Sequence, residues 1–291
     1  MDLVLIGSDS PLGLAVQRRL EDAGRHGVRP ITLAASRFGS ERQAKKAVRR
    51  GSPGAVVDLR LSALFGNGED ITAPDIDRCH WLAKACARSS MLYLLLSRDR
   101  VFSGQHRRPL RESEAPDAQD ETGLALREAE SRVLDVGEAG SVLRTGPLFS
   151  AHGGNLLVMT LEALLASRQA SFDDSDQFCP SAVDDIARVI AAMLDQVSAG
   201  AEARGIFHYS AAERTTRYGF AEALLASAGQ YADLGDISLV TEGDAADGGS
   251  RTLECNRLRD TFAIKQLPWR GQISAAVRDY FDRQEESGDG R

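Results

Sequence analysis

The sequence predicts an α/β protein: a doubly wound parallel sheet followed by a smaller α/β lobe toward the C-terminus. Short apolar runs alternate with helix-period segments through the first half of the chain, as expected of crossover units with helices on both faces of a sheet. The second half is less regular, and 291 residues with 43% hydrophobic content suffice for a second core. We therefore predict one unit over residues 1–150 and a lobe over residues 151–291, with segments of the lobe returning to the first unit.

The predicted elements follow in order along the chain. In the first half, the apolar β-like runs are DLVLI (2–6), ITLAA (31–35), AVVDL (55–59), LYLLL (92–96) and SVLRT (141–145). The helix-period segments between them cover residues 11–23, 40–50, 76–88 and 124–134. The second half has helix-like stretches at 156–166, 183–197, 217–228 and 273–281, and β-like runs at 169–174, 206–210 and 236–240. Because ligands of such sheets sit beyond the carboxyl ends of the strands, the residues after each run are the candidate functional positions.

The composition excludes several classes of protein. A formal net charge of -7 argues against general nucleic-acid binding, which needs a basic face. No stretch reaches the roughly 18 uninterrupted apolar residues of a membrane helix, so we expect a cytoplasmic protein without membrane contact. The four cysteines, Cys79, Cys86, Cys179 and Cys255, form no CxxC pair, and we expect buried free thiols and no metal site.

The first β-like run ends in GSDSPLG, a variant of a phosphate-binding turn. Gly7 and Gly13 suit its outer places, where one glycine permits the bend and another allows close packing of helix on strand. Ser10 places a side chain where a pyrophosphate would pass, and Pro11 removes a backbone donor. Ser10 and Pro11 are nevertheless a good cap and first-turn pair for any helix. Together with Leu12 these residues are the candidate dinucleotide contacts.

The second β-like run lacks the acidic residue that would bind an adenosine ribose. Ser36 and Arg37 follow it instead. An arginine at this place can accept the 2′-phosphate of NADP, so NADP(H) is the favoured dinucleotide if any binds. The alternative is a solvated arginine on a basic face.

From the fourth run onward the sequence resembles the extended short-chain dehydrogenases of the dTDP-4-dehydrorhamnose reductase (RmlD) type. The segments that carry the resemblance are LYLLLSRDRVFSGQHRRPLRESEAPDAQDETGLALREAESRVLD, SVLRTGPLFS, GGNLLVMTL, DQFCPSAVDDIARVI, GIFHYSAAERTTRYGFAEALL and NRLRDTFAIKQLPWRGQI. The resemblance implies a Rossmann-like dinucleotide-binding domain over residues 1–150 and a nucleotide-sugar lobe over residues 151–291. It also implies an NAD(P)H-dependent ketone reductase.

In that family a Ser/Thr hydroxyl polarises the carbonyl, a tyrosine supplies the proton, and a lysine four residues later tunes the tyrosine. The i, i+4 spacing places phenol and ammonium on one helix face. Aligned with these motifs, Arg98 stands at the Ser/Thr position, Thr122 at the tyrosine and Leu126 at the lysine. No tyrosine in the chain is followed by a lysine four residues later. The sequence therefore predicts that the three catalytic positions are degenerate.

Charged residues also follow the third and fourth runs. Asp58 and Arg60 end the third run, and Arg98, Asp99 and Arg100 end the fourth, so we expect a cationic cluster in the cleft. Two interpretations stay open. The arginines pair with Asp58, Asp99 and Asp75 and fill an abandoned site, or they hold an anionic small molecule.

Three functions follow from these observations. The leading hypothesis is a catalytically disabled nucleotide-sugar-reductase-like protein that acts as a binding or regulatory subunit, with an enzyme partner or as a homo-oligomer. The regulatory beta subunit of methionine adenosyltransferase, which shares the fold, is the precedent that the resemblance supplies. The alternatives are an NADPH-dependent sugar nucleotide reductase and an anionic-ligand sensor. The cofactor is accordingly either none or NADP(H).

Overall fold

The computed structural model describes residues 1–137, 139–232, 234, 236–243 and 248–288. Over these residues the strands are β1 Asp2–Ile6, β2 Gly27–Ile31, β3 Ala55–Asp58, β4 Leu92–Arg98, β5 Gly140–Thr145, β6 Leu148–Phe149, β7 Gln169–Asp173, β8 Ser181–Ala182, β9 Gly205–Tyr209 and β10 Ser238–Glu242. The α-helices are α1 Pro11–Ala23, α2 Glu41–Arg49, α3 Arg60–Gly66, α4 Ala73–Ala87, α5 Glu121–Leu134, α6 Leu156–Ala166, α7 Val183–Ser198, α8 Arg217–Ala228, α9 Asn256–Phe262 and α10 Arg270–Gly288.

The central sheet has six parallel strands in the order β2-β1-β3-β4-β5-β9. The chain moves outward from β1 to β2 and then returns to place β3 on the other side of β1. This reversal of strand order creates a crevice beyond the carboxyl ends of β1 and β3, where ligands of doubly wound sheets bind. The predicted fold class is confirmed.

Two apolar layers cover the faces of this sheet. On one face, α1 and α7 bury a cluster that includes Val16, Ile186 and Ile190, and a salt bridge of 3.0 Å between Arg18 and Asp184 joins the two helices. On the other face, α2, α4 and α5 bury the second cluster, with Leu126 among its members. Parallel sheets need both faces covered, because their strands are apolar on both sides.

The second half of the chain contributes to the sheet as well as forming its own core. Strand β9 joins β5 at the sheet edge, whereas β7 pairs with β10 and β6 with β8 in two small sheets. A third apolar cluster, formed mainly by α6, α8 and α10, surrounds the fully buried Trp269. The division near residue 150 stays a prediction.

Both edges of the central sheet carry a residue that interrupts main-chain pairing. Strand β2 contains Pro30, which has no N–H to donate. At β9, the Arg257 guanidinium donates to the carbonyl oxygens of Arg204 and Ile206 at 2.7 and 2.8 Å, and it lies 4.6 Å from the centre of the Phe207 ring.

One predicted strand is misplaced. The run ITLAA was expected to be the second strand, but β2 ends at Ile31, and residues 34–36 form a 3-10 turn. The Ile31 carbonyl accepts from the amides of Gly7 and Ser8, and the Asp9 carboxylate accepts from the Leu33 amide, so the chain turns away from the sheet here. The true strand, GVRPI, is only partly buried and contains a proline, and hydrophobic periodicity therefore missed it.

All four cysteines are free and buried, as expected. None of the described helices is both long and apolar enough to cross a membrane. Among the described residues there is also no group of three or more histidine, cysteine, aspartate or glutamate side chains arranged to hold a metal ion.

Candidate functional site

A cavity of about 490 Å³ lies beyond the carboxyl ends of the central strands. The first half of the chain supplies one wall, from the start of α1, from α3 and from the loop after β4. The second half supplies the other wall, from the loop before α6, the residues after β7, and the positions of Arg217 and Arg251. The cavity thus occupies the crevice that the reversal of strand order creates.

The first turn has the backbone shape of a phosphate-binding turn. Gly7 has a positive φ of 76°, which L-residues with a side chain rarely adopt. A Cβ on Gly13 would lie 2.3 Å from the Gly7 carbonyl oxygen, so the helix can pack this closely on the strand only with glycine there. Ser10, Pro11 and Leu12 line the cavity.

The donors of this turn are largely engaged within the protein. The amides of Gly7 and Ser8 bond to the Ile31 carbonyl at 2.9 and 3.2 Å, and Ser10 Oγ accepts from the Gly13 amide at 3.1 Å. Pro11, the first residue of α1, has no N–H. A pyrophosphate is normally held by amides at the helix N-terminus, and this turn offers fewer such donors than a turn without proline.

A loop from the second half crosses the same end of α1. A Cβ on Gly153 would lie 3.4 Å from Pro11 Cγ, and a Cβ on Gly154 would lie 3.1 Å from the Gly66 carbonyl oxygen. The loop therefore lies close to both sides of the groove between α1 and α3.

Ser36 and Arg37 do not line the cavity. Ser36 is buried, and its hydroxyl donates to the Leu33 carbonyl at 2.7 Å. Arg37 is exposed and pairs with Glu69 at 3.4 Å, across the loops that follow β2 and α3. Its predicted role toward a 2′-phosphate stays a prediction, and a phosphate there would have to displace Glu69.

Asp58 and Arg60 lie in the core, and they do not line the cavity. The Arg60 side chain donates through Nε and Nη2 to the Asp58 carboxylate, and the shortest of these bonds is 2.6 Å. Tyr93 donates to the same carboxylate at 2.6 Å, and Arg60 also reaches Cys79 Sγ at 3.3 Å. The side chains of Asp58 and Arg60 are 0% and 2% exposed. The expected three-arginine cluster is therefore wrong for Arg60, because a bidentate ion pair holds it inside.

Arg98, Asp99 and Arg100 all line the cavity, as expected for residues at the end of β4. Arg100 pairs with Asp120, the N-cap of α5, at 2.9 Å. The Arg98 guanidinium lies 4.0 Å from the centre of the Phe65 ring. Burial raises the pKa of Asp99 to about 6, although Arg98 and two other arginines oppose the shift.

Asp75, which was considered as a partner of these arginines, pairs with Arg78 of its own helix at 2.6 Å. Among the described residues, no carboxylate forms a salt bridge with Arg98. Of the expected pairings, the one between Arg60 and Asp58 is present. Arg100 pairs instead with Asp120, and Arg98 forms no salt bridge within the described parts of the chain.

Thr122 and Leu126, the positions aligned with the tyrosine and the lysine, lie on α5 and do not line the cavity. Leu126 is 1% exposed within the apolar cluster that also contains Val101 and Phe102. No tyrosine or lysine is found among the described residues of the cavity wall.

Several cavity residues from the second half were not predicted. His152 and Asn155 lie in the loop before α6, where Asn155 caps the helix through the amides of Leu157 and Val158 and its side-chain amide donates to the His152 carbonyl. An asparagine before an apolar helix was a usable capping signal. Arg251 donates to the carbonyls of Phe102 and Ser103 at 3.0 and 2.7 Å, and no local sequence pattern reveals that contact.

Comparison with known proteins places the chain in a family. The family model described as RmlD substrate binding domain matches residues 1–281. The dTDP-4-dehydrorhamnose reductase of Burkholderia thailandensis is 25% identical over 297 residues, which cover 96% of this chain and 99% of that protein. Methionine adenosyltransferase 2 subunit beta of Danio rerio is 29% identical over 210 residues, covering 68% of this chain and 63% of that protein.

Among solved structures, the dTDP-4-dehydrorhamnose reductase of Bacillus anthracis in complex with NADP has the same fold. The TM-score is 0.78 at 14% identity, with 96% of this chain and 99% of that chain covered. The parallel sheet, the crevice beyond its carboxyl ends and a family match over residues 1–281 agree with one another. The chain belongs to the RmlD substrate-binding domain family of dTDP-sugar reductases.

Proposed function

We propose that this member of the family binds a ligand in its cleft without reducing it, and that it acts as a binding or regulatory subunit. The observation that carries the proposal is the composition of the cavity wall. Where the family's reductases need a hydroxyl, a phenol and an ammonium group, this chain has Arg98 in the cavity and Thr122 and Leu126 outside it.

These replacements are expected to lower the rate of ketone reduction strongly. A threonine hydroxyl has no accessible ionised state near neutral pH, and a buried leucine cannot tune a neighbouring group. Loss of one general acid or base typically lowers a rate by roughly 10²- to 10⁴-fold. Residues that act as a unit are not additive when removed, so substitution of the whole set leaves little hydride transfer. The first turn, in which Pro11 removes one amide donor from the start of α1, supports the same conclusion.

The regulatory part of the proposal draws its support from a relative. Methionine adenosyltransferase 2 subunit beta of Danio rerio is similar to this chain in sequence, and its name describes it as a subunit of an enzyme. We propose that this chain likewise associates with an enzyme, or with a second copy of itself.

The catalytic part is tested by NADPH oxidation. Purified full-length protein, shown to be folded by circular dichroism, is mixed with NADPH and dTDP-4-dehydrorhamnose, and an active reductase of the family serves as the positive control. We expect no oxidation above background and weak or no NADPH binding by calorimetry. Turnover at a rate comparable to that of the control would refute the proposal.

The regulatory part needs a separate experiment. Tagged full-length chain is used to capture proteins from native lysate, and any enzyme that co-purifies is assayed with and without added chain. We expect its kcat/KM or its stability to change. An enzyme whose kinetics and stability do not respond to the chain, together with a monomeric chain by light scattering, would exclude the regulatory role.

A further inference from the structure

Among the described residues, three arginines are more than nine-tenths buried, and they differ in how their charge is compensated. Arg60 is 1% exposed and Arg144 is 0% exposed. Each donates from Nε and Nη2 to one buried carboxylate, Asp58 for Arg60 and Glu130 for Arg144. Two of the three buried charges therefore have a bidentate carboxylate partner, although Arg60 Nη1 is buried without a hydrogen-bond partner among the described residues.

Arg98 is the third, at 8% exposure, and it lacks such a pair. Within the described parts of the chain its Nε is buried and has no hydrogen-bond partner, and no carboxylate is in salt-bridge contact with it. Burial lowers its pKa, although Asp99 opposes the effect. A buried guanidinium without a hydrogen-bonded counter-charge is costly. Packing on the Phe65 ring compensates part of this cost.

The position of Arg98 indicates what compensates the remainder. One face of its guanidinium is covered by Phe65, and the residue forms part of the cavity wall. A guanidinium presents its N–H groups in a planar fork that matches the two oxygens of a carboxylate. The cavity is therefore the place from which a bound anion can reach the charge that the protein itself leaves unpaired.

We infer that Arg98 binds the carboxylate of a small organic monoanion whose apolar body fills the rest of the cavity. This inference rests on the proposed non-reductive role and names the ligand class of the same site. Four arginines and three aspartates line the cavity, so its wall has a formal charge of +1, which suits a monoanion better than a polyphosphate. Its apolar wall includes Leu12, Phe65, Leu148, Leu156, Phe178 and Val183.

The experiment compares benzoate with its uncharged analogue benzamide as probes. The thermal midpoint of the full-length protein is measured against each at constant ionic strength, with inorganic phosphate as a third probe. A ligand that binds only the folded state raises the midpoint in proportion to the logarithm of its concentration above Kd. We expect a rise of several degrees with millimolar benzoate and a negligible rise with benzamide.

Three variants assign the response to one side chain. Arg98→Met keeps an unbranched side chain on Phe65 but removes the charge, so we expect it to abolish the benzoate response and to raise the midpoint of the ligand-free protein. Arg18→Met is the control outside the cavity wall; because Arg18 is exposed and pairs with Asp184 at 3.0 Å, we expect the benzoate response to persist. Arg60→Met should instead lower the midpoint, because it leaves Asp58 buried without its partner.

Four outcomes overturn the inference. Benzamide gives a response equal to that of benzoate, Arg98→Met retains the benzoate response, benzoate gives no response, or phosphate alone gives one. A destabilised Arg98→Met protein would show that the arginine is structural, and it would contradict the unpaired-charge argument. Failure of the proposed function appears separately as NADPH turnover, which these melting curves do not measure.

Discussion

At the scale of single residues, the buried cluster of His208, Arg144 and Glu130 shows how charge is held in the core. His208 is 0% exposed. Its Nδ1 lies 3.1 Å from the Leu110 carbonyl and its Nε2 lies 3.3 Å from Arg144 Nη1. Since the arginine can only donate, Nε2 accepts and Nδ1–H donates, and the imidazole is neutral. Burial and the Arg144 charge lower the pKa of His208 to about 3.

This cluster predicts a specific loss of stability in acid. The unfolded chain binds a proton to His208 near pH 6.5, whereas the folded protein does so only near pH 3. Between these values the unfolded state binds more protons, so the free energy of unfolding falls as pH falls. Each unit of pKa difference corresponds to about 1.4 kcal/mol, and the total loss is several kcal/mol. Urea denaturation at a series of pH values from 7 to 4 measures most of this loss, because the loss begins near pH 6.5 and ends near pH 3.

The matched variants are His208→Gln and His106→Gln. Glutamine at 208 can still donate to Leu110 and accept from Arg144, but it does not titrate, so we expect a shallower dependence of stability on pH. His106 is only partly buried and contacts Asp117 at 3.1 Å, and its replacement should leave the dependence steep. Identical slopes for wild type and His208→Gln would contradict the assignment.

How much of the site could be predicted differs from residue to residue. The alignment of Arg98, Thr122 and Leu126 with the family's catalytic positions follows from motif spacing. Each residue stands at a fixed distance from a strand end or a helix start. The buried position of Arg60 cannot be predicted from motif spacing. It depends on tertiary contacts of Arg60 with Asp58 and Cys79. Tyr93 adds a hydrogen bond to the same Asp58 carboxylate. Arg251 is beyond local reasoning altogether, because its partners lie about 150 residues earlier in the chain.

At the scale of elements, the junction of β1 and α1 is packed so closely that it leaves no room for a side chain at position 13. A Cβ at position 13 would lie 2.3 Å from the Gly7 oxygen and 2.7 Å from Ser8 backbone atoms. We therefore expect Gly13→Ala to lower the free energy of unfolding by about 1–3 kcal/mol, the usual range for overpacking. Chemical denaturation measures the change.

Gly271→Ala is the control for that experiment. It also adds a methyl group to a helix, but nothing lies within 4 Å of its Cβ position. Alanine is favoured over glycine in helices by up to about 1 kcal/mol, so stability should stay the same or increase. A Gly13→Ala protein as stable as Gly271→Ala would show that α1 can move away from β1 at little cost.

Element prediction succeeded where the local pattern and the tertiary environment agree. The helices α1, α6 and α8 have the predicted limits, because a cap and a regular apolar face define each one. The prediction of β2 was wrong because a half-exposed edge strand with a proline has little apolar signal. The more apolar ITLAA segment contributes to a turn instead.

At the scale of the whole molecule, elements of the second half of the chain pack on the sheet of the first half, so the stability of each half depends on the other. Strand β9 pairs with β5, and α7 covers the sheet face on which α1 lies. His26 of the first half also contacts Asp195 of α7 at 2.8 Å. We expect a fragment of residues 1–150 to show no cooperative thermal transition, because the sheet face under α7 and the β5 edge would be exposed.

Fragment complementation checks this expectation. Mixing residues 1–150 with residues 151–291 should restore the cooperative transition and the near-ultraviolet circular dichroism of the full chain. A fragment of residues 1–150 that melts cooperatively by itself would show that β9 and α7 are dispensable for the first unit.

The two edge strands of the central sheet, β2 and β9, limit how this protein can associate with another. With Pro30 in one outer strand and the Arg257 guanidinium occupying two outward carbonyls of the other, neither rim offers a continuous row of main-chain donors and acceptors. Sheet extension by an incoming strand, a common route to both recognition and aggregation, is therefore disfavoured at both ends. A partner of the kind proposed above would instead have to recognise side chains on helices or loops, and such surface residues can vary without disturbing the sheet.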